Sequence, residues 1–245
     1  MHKFDITKLQ GSNIQFLITT LPENLFKEVQ KQVFNMGKRV DHQHKLAGHI
    51  KEEYDFLVSS NLKSYLLDMA LEYIGLNNNE NIDTSDVSLQ QWINFQRKYE
   101  FNPIHNHTGL VSYVIWVKIP FTNEKEHKMF PKLKVSDYNS GKFVFVYPNN
   151  LDPLSVMTYG IPADKRFEGH ILMFPSTLQH MVYPFYTSNE YRISIAGNLI
   201  SPNLTNSYIE KMYREQFGNN ELPNDIKEIL NKTVDVMQLP NSMEE

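Results

Sequence analysis

The chain has 245 residues, of which 41% are hydrophobic and 12% aromatic, and this composition excludes an intrinsically disordered protein. The formal net charge is −4 with both signs interspersed, which argues against nucleic acid and a membrane surface as partners. The absence of cysteine excludes disulfides, thiolate metal sites and cysteine nucleophiles. No apolar run approaches the roughly 20 residues of a membrane-spanning helix, and the N-terminus lacks the signal-peptide pattern, so we expect a cytoplasmic protein.

The first eighty residues show mainly helical periodicity, with two helices predicted over 20–39 and 59–81. In the first helix the apolar residues recur at helical spacing: Leu25, Val29, Val33 and Phe34. Gly37 is the expected stop of that helix, whereas Ser60 and Gly75 are the expected cap and stop of the second.

From residue 87 the pattern changes to short runs rich in β-branched and aromatic residues, separated by Gly, Pro, Asn or Asp. Six such runs are present: 87–101, 110–120, 141–148, 168–176, 180–186 and 191–200. Without helical periodicity between them, they predict a sandwich or barrel rather than a parallel α/β sheet. After residue 200, short helical segments are expected.

Three histidines stand beside these predicted strands. His105 and His107 precede the strand of 110–120, and residues i and i+2 share a face if they lie in a strand. His180 opens another apolar run. Neutral imidazole is a common ligand of divalent metals. The pair alone is equally typical of a polar surface loop, so a metal site depends on where His180 lies.

Arg192 and Ser194 form a second i, i+2 pair, at the start of the run 191–200. A guanidinium that enters a core strand is costly unless it is paired. Its partner is either one of the chain's own acids or the carboxylate of a ligand, which arginine binds in bidentate fashion.

Three segments, "WINFQRKYEFNPIHNHTGLVSYVIWV", "GHILMFPSTLQHMVYPF" and "YRISIAGN", carry a family resemblance. Together they resemble the 2-oxoglutarate- and Fe(II)-dependent oxygenases, and in particular the small prolyl-hydroxylase-like oxygenases of phage and bacteria. The resemblance implies an α+β fold: a double-stranded β-helix, or jelly roll, with N-terminal helices packed on it and a short helical C-terminal extension. We expect a single domain over 1–245. Its helical shell covers about 1–86, its jelly-roll core about 87–200 and its C-terminal extension about 201–245.

The resemblance also assigns roles to single residues. His105 matches the first metal ligand and His180 the distal histidine. Arg192 matches the residue that holds the far carboxylate of 2-oxoglutarate, and Ser194 matches a helping hydroxyl donor. His107 departs from the family, because most members have Asp or Glu at this position.

This departure leaves three possibilities for the metal site. His107 is itself the third ligand, which is the interpretation we favour; or a carboxylate such as Asp137 or Glu100 completes the triad; or only His105 and His180 bind the metal.

The function implied by the resemblance is that of a hydroxylase with Fe(II) as cofactor and 2-oxoglutarate and dioxygen as cosubstrates. It would couple the oxidative decarboxylation of 2-oxoglutarate to hydroxylation of a C–H bond, in a peptidyl or prolyl side chain or a small molecule. The rival hypotheses are a cupin-like metalloenzyme without 2-oxoglutarate and a non-catalytic jelly-roll binding module.

A second group of histidines, His42, His44 and His49, stands close to Glu52 and Glu53. This segment is polar and lacks metal-ligand spacing on a regular element, which predicts a solvated surface. Under the resemblance it would instead lie over the mouth of the active site.

Overall fold

The computed structural model of this chain describes residues 4–43, 48–76, 83–130, 138–218, 222–225 and 228. Within these residues there are eleven β-strands and four α-helices. The strands β1 to β11 are Ile6–Lys8, Gln15–Thr20, Glu53–Asp55, Ser88–Gln96, Asn102–His105, Val111–Lys118, Phe143–Asn149, Asp152–Ile161, His170–Pro175, His180–Val182 and Arg192–Ile200. The helices α1 to α4 are Glu23–Phe34, Ser60–Tyr73, Asn123–Lys128 and Pro202–Phe217.

The strands form two antiparallel sheets. The seven-stranded sheet has the order β1-β2-β9-β6-β11-β4-β3, and the four-stranded sheet has the order β5-β10-β7-β8. Their facing sides share one apolar cluster, rich in phenylalanine, to which both sheets contribute. Two facing antiparallel sheets with this crossed strand order confirm the predicted jelly roll.

Strand periodicity separates the two sides of the seven-stranded sheet. In β6, Tyr113, Ile115 and Val117 pack against α1 and α2 on the side we call the outer face. Val114 and Trp116 alternate with them and point to the inner face, toward the four-stranded sheet. The helices therefore cover one side of the sheet and leave the other to the site.

All six predicted core strands are present, but the N-terminal region is less helical than predicted. β1, β2 and β3 lie within it and extend both ends of the seven-stranded sheet. β1 and β3 have only three residues each, and the partners that join β2 and β3 to the sheet, β9 and β4, are remote in sequence, so local periodicity gives no sign of them. β5, with four residues and the remote β10 as its partner, was missed for the same reason. β8, which forms a hairpin with β7, was missed as well.

Both predicted helices are present, with corrected ends. α1 ends at Phe34 with Asn35 as its C-cap, so Gly37 is not the stop, and Phe34 is exposed rather than part of the apolar face. The N-cap of α2 is Ser59, whose hydroxyl accepts the Leu62 amide, and not Ser60.

Candidate metal centre

The four-stranded sheet brings the three predicted histidines together. His105 ends β5 and His180 begins β10, and the two residues are register partners with ring centroids 4.3 Å apart. His107 lies beyond the end of β5, where its amide donates to the Ser176 carbonyl at 2.9 Å. One ring nitrogen from each histidine lies within 4.8 Å of the other two. The expected convergence is present, although a loop contact and not strand alternation places His107.

Hydrogen bonds fix the tautomer of two of these rings. His105 donates from Nδ1 to the Pro103 carbonyl at 2.7 Å, and His180 donates from Nδ1 to the Leu178 carbonyl at 2.9 Å. A carbonyl oxygen can only accept, so Nδ1 carries the proton in both rings. Nε2 therefore keeps its lone pair for a metal, as in the usual outer-shell arrangement of metal-binding histidines.

Burial keeps all three imidazoles neutral. It lowers the pKa of His105, and it lowers the pKa of His107 to about 4 with a further contribution from His105. The pKa of His180 lies well below the usual range, again because of burial and then the neighbouring His105. Neutral imidazoles are the protonation state that metal coordination requires, so this donor set fits a divalent metal ion.

The carboxylate alternatives receive no support from the described residues. The Glu100 carboxylate accepts the Arg97 amide at 2.8 Å and is not part of the converging group. Asp137 lies outside the described residues. Within the part of the chain that the structure describes, the three histidines are the only converging group of this kind.

Arg192 lies in the same pocket and is only 2% exposed. Its guanidinium donates to neutral oxygens: to Gln96 Oε1 from Nε at 2.8 Å and Nη2 at 2.5 Å, to the Gly141 carbonyl at 2.6 Å and to the Tyr183 carbonyl at 3.3 Å. Burial lowers its pKa to about 9, a value that still leaves it cationic at neutral pH. No carboxylate of the described residues lies within 4.0 Å of it.

The charge of buried Glu126 acts on Arg192 and favours its cationic form, but the two side chains form no salt bridge. A buried cation without a direct anionic partner is costly unless a ligand supplies the opposite charge. Between the two sequence-based hypotheses for Arg192, the structure therefore favours a ligand carboxylate over an internal ion pair. Ser194, two residues along β11, lines the same pocket and accepts the Asn94 Nδ2 hydrogen at 3.3 Å.

Gln96 is a functional residue that sequence reasoning missed. It is the register partner of Arg192, and its Nε2 donates to the Glu100 carbonyl at 2.6 Å, which turns Oε1 toward the guanidinium. The sequence does contain one sign of it, since Trp92, Asn94 and Gln96 alternate along one strand face. The identity of the partner depends on the β4–β11 register, which local pattern does not give.

The pocket lies between the sheets, and its polar lining is concentrated on β4, β5, β10 and β11. Its side chains include Trp92, Asn94, Gln96, Asn102, His105, His107, Trp116, His180, Arg192 and Ser194. The three candidate metal ligands and the buried Arg192 therefore line the same cavity.

The second histidine group differs from its prediction. His42 is buried, pairs through Nδ1 with the Asp55 carboxylate, and stacks on Trp92 at a centroid distance of 5.6 Å. Trp92 in turn packs on His107 at 5.4 Å. Glu53 is also buried, so a solvated surface is wrong for both residues. His49 is exposed, as predicted, and His44 lies outside the described residues.

Comparison with known families supports a metal site in this pocket. Residues 90–198 match the model of a family described as "Putative 2OG-Fe(II) oxygenase". The matched region contains all three histidines, Arg192 and Ser194, and the description of the matching family agrees with the predicted cofactors, Fe(II) with 2-oxoglutarate as cosubstrate.

Solved structures similar to this chain include two prolyl hydroxylases. The Pseudomonas putida prolyl-4-hydroxylase has 13% identity and a TM-score of 0.47, over 74% of this chain and 90% of that one. The Trichoplax adhaerens prolyl hydroxylase, solved with a hypoxia inducible factor peptide fragment, has 14% identity and a TM-score of 0.49, over 79% and 86%. A search of curated proteins gave no match. Among the described residues, no helix has the length and apolar character needed to cross a bilayer.

Proposed function

We propose that this protein is a non-haem Fe(II)- and 2-oxoglutarate-dependent dioxygenase that hydroxylates a C–H bond. The observation that carries the proposal is the presence, in one pocket, of three neutral imidazoles and a buried arginine without a carboxylate partner. As the target we propose a peptidyl side chain, with proline as the residue suggested by the family resemblance.

His105, His107 and His180 would hold the iron. When bound, Fe(II) would activate dioxygen and couple the decarboxylation of 2-oxoglutarate to succinate with oxidation of the substrate C–H bond. The contribution of the chain is to orient the donors: the Nδ1 hydrogen bonds hold the rings of His105 and His180 with Nε2 free.

Arg192 and Ser194 would bind the far carboxylate of 2-oxoglutarate. Gln96 holds the guanidinium plane, and among the described residues Nη1 donates only to the Gly141 carbonyl, which leaves its second hydrogen for a ligand. Because Ser194 Oγ accepts from Asn94, its own hydroxyl hydrogen remains free to donate. Both groups would therefore offer a donor to an anion at this end of the pocket.

The charges of the site suit this ligand. Three neutral imidazoles leave the dipositive charge of iron undiminished, and Arg192 adds another positive charge within a low-dielectric pocket. A ligand with two carboxylates can meet both centres at once. An all-histidine triad would thus increase the attraction for 2-oxoglutarate compared with a triad that contains a carboxylate.

A cupin-like metalloenzyme that does not use 2-oxoglutarate is the second candidate, and the specific observation in its favour is His107 in place of a carboxylate. Arg192 argues against it, since such an enzyme has no need for a buried carboxylate-binding cation. A non-catalytic jelly-roll binding module would bind metal without turnover.

Turnover distinguishes these candidates. The protein is incubated aerobically with Fe(II) and 2-oxoglutarate, and succinate is measured by NMR, beside an Arg192→Ala variant. We expect slow succinate formation without added substrate, and its loss in the variant. Iron binding without any succinate would contradict the proposal.

A further inference from the structure

Three buried oxygen atoms beside the pocket have no hydrogen-bond donor among the described residues. They are Asn94 Oδ1, Asn102 Oδ1 and Glu53 Oε1. Both asparagines line the pocket, and Asn94 is only 6% exposed. An unsatisfied buried acceptor costs about 1–3 kcal/mol, so groups of this kind normally have a partner.

Glu53 belongs to this group because of the sheet register. It is the β3 partner of Asn94 in β4, and Asn94 is in turn the partner of Ser194 in β11. Partners on antiparallel strands place their side chains on the same face with Cβ atoms about 4.5–5.5 Å apart. Glu53, Asn94 and Ser194 therefore form one row across the inner face, which starts at the sheet edge and runs to the proposed cosubstrate site.

The surroundings of Glu53 are acidic. Burial raises its pKa to about 7, and the charges of Glu100 and Asp41 add to the effect. Glu53 forms no salt bridge with any described residue. A buried carboxyl that is surrounded by acids and has no cationic neighbour is a common property of a binding site for a cation.

The asparagines lie on opposite walls, because Asn94 belongs to the seven-stranded sheet and Asn102 to the four-stranded sheet. The residues just before Glu53 also pack against this region. The His49 amide donates to the carbonyl of Phe101, the neighbour of Asn102, and Ile50 lines the pocket. A ligand between these walls would have an asparagine side chain on each side, and Asn102 Oδ1 lies next to Gly48 at the edge of this space.

We propose that Glu53, Asn94 and Asn102 form the subsite for the primary substrate, and that this substrate presents an ammonium or guanidinium group, as lysine and arginine do. Acceptors on two walls match a group with several donors, and the acidic neighbours disfavour an anion. The opposite charge of Arg192 keeps the cosubstrate and the substrate at separate ends of one pocket. This inference rests on the proposed function, and it assigns a basic side chain as the substrate class of that site, in place of the proline that the resemblance suggests.

The test begins with binding, which requires no turnover. Metal-free protein is titrated by calorimetry or NMR with the tripeptides Gly-Lys-Gly, Gly-Arg-Gly, Gly-norleucine-Gly and Gly-Glu-Gly, and with free lysine and free arginine. We expect a basic probe to bind at least about tenfold more tightly than the norleucine peptide, as one charge-assisted hydrogen bond provides. A preference for the peptides or for the free amino acids distinguishes a protein substrate from a small molecule.

Variants assign the effect to the subsite. Glu53→Gln keeps the shape and removes the charge, and it should abolish the preference for basic probes. Asn102→Ala should weaken their binding several-fold. Glu52→Gln is the matched control, because the neighbouring Glu52 pairs with Arg97 on the outer face and should leave binding unchanged. Equal binding of basic and norleucine probes, or an intact preference in Glu53→Gln, would overturn the proposal.

Turnover separates this inference from the proposed function. With Fe(II) and 2-oxoglutarate, the preferred basic probe should stimulate succinate formation and gain one oxygen atom by mass spectrometry. If succinate forms but no basic probe stimulates it, the inference fails and the dioxygenase stands. If the protein neither binds nor consumes 2-oxoglutarate, the proposed function fails and the substrate assignment fails with it.

Discussion

His105 and His180 are register partners on neighbouring antiparallel strands, with ring centroids 4.3 Å apart. Each ring donates Nδ1–H to the carbonyl two residues before it in the chain. The backbone of two paired strands therefore sets the position and the tautomer of both side chains. A ligand pair built on strands requires little rearrangement on metal binding, which is the property of a preorganised site.

This arrangement predicts unequal effects of removing the three histidines. His105→Ala and His180→Ala should each weaken Fe(II) binding roughly 100-fold or more, since they remove a ligand rather than an outer-shell partner. His107→Ala should weaken it as well, whereas His107→Asp should retain it by restoring the carboxylate typical of the family. Anaerobic calorimetry measures the affinities. His170→Gln, outside the triad, is the control, and an equal loss there would contradict the assignment.

Gln96 should control both cosubstrate affinity and stability through Arg192. Gln96→Leu removes the acceptor of two guanidinium hydrogen bonds and leaves a buried cation with fewer partners. We expect the KM for 2-oxoglutarate to rise about tenfold and the free energy of unfolding to fall by about 1–3 kcal/mol. Gln90→Leu, at an exposed position of the same strand, should change neither quantity. Steady-state kinetics and urea denaturation are the measurements, and an unchanged KM in Gln96→Leu would remove its positioning role.

Glu53 should make the protein less stable as pH rises. Its folded pKa of about 7 lies above the ordinary value of 4.5, so the folded state binds more protons than the unfolded state between these pH values. The contribution of this group to stability is complete below about pH 4.5 and is lost as pH rises to about 7, by an amount on the order of 3 kcal/mol at most.

The corresponding measurement is urea denaturation of wild type and Glu53→Gln at several pH values. Relative to wild type, the variant should gain stability between about pH 4.5 and 7 and show a constant difference above that range. A difference that does not depend on pH would show that Glu53 titrates normally.

Substitution of Gly197, which lines the pocket, measures how tightly β11 packs against its neighbours. A Cβ at this position would lie 2.6 Å from the Gln90 carbonyl oxygen and 2.6 Å from Tyr113 Oη. Because one neighbour is backbone, Gly197→Ala should cost about 1–3 kcal/mol of unfolding free energy. At Gly37 nothing lies within 4 Å, so Gly37→Ala should be close to neutral. Thermal or urea denaturation of these two variants is the measurement. Equal unfolding free energies would refute this account of the packing.

The runs of β-branched and aromatic residues, separated by Gly, Pro, Asn or Asp, predicted a sandwich or barrel, and the family resemblance narrowed this prediction to a jelly roll. The histidine pair and Arg192 were recognisable because imidazole and guanidinium are costly beside apolar strands unless they bind something. The burial of His42 and Glu53 was not predictable. It depends on β3 pairing with β4, a contact between segments about forty residues apart that local periodicity does not encode.

The central claim is that one pocket binds iron through the histidines and 2-oxoglutarate through Arg192. The most direct measurement is anaerobic visible spectroscopy of metal-free protein titrated with Fe(II) and then with 2-oxoglutarate, for wild type and Arg192→Ala. The account predicts a charge-transfer band that requires both additions and is weakened in the variant. Iron binding without any band on addition of 2-oxoglutarate would contradict the account and favour the cupin-like alternative.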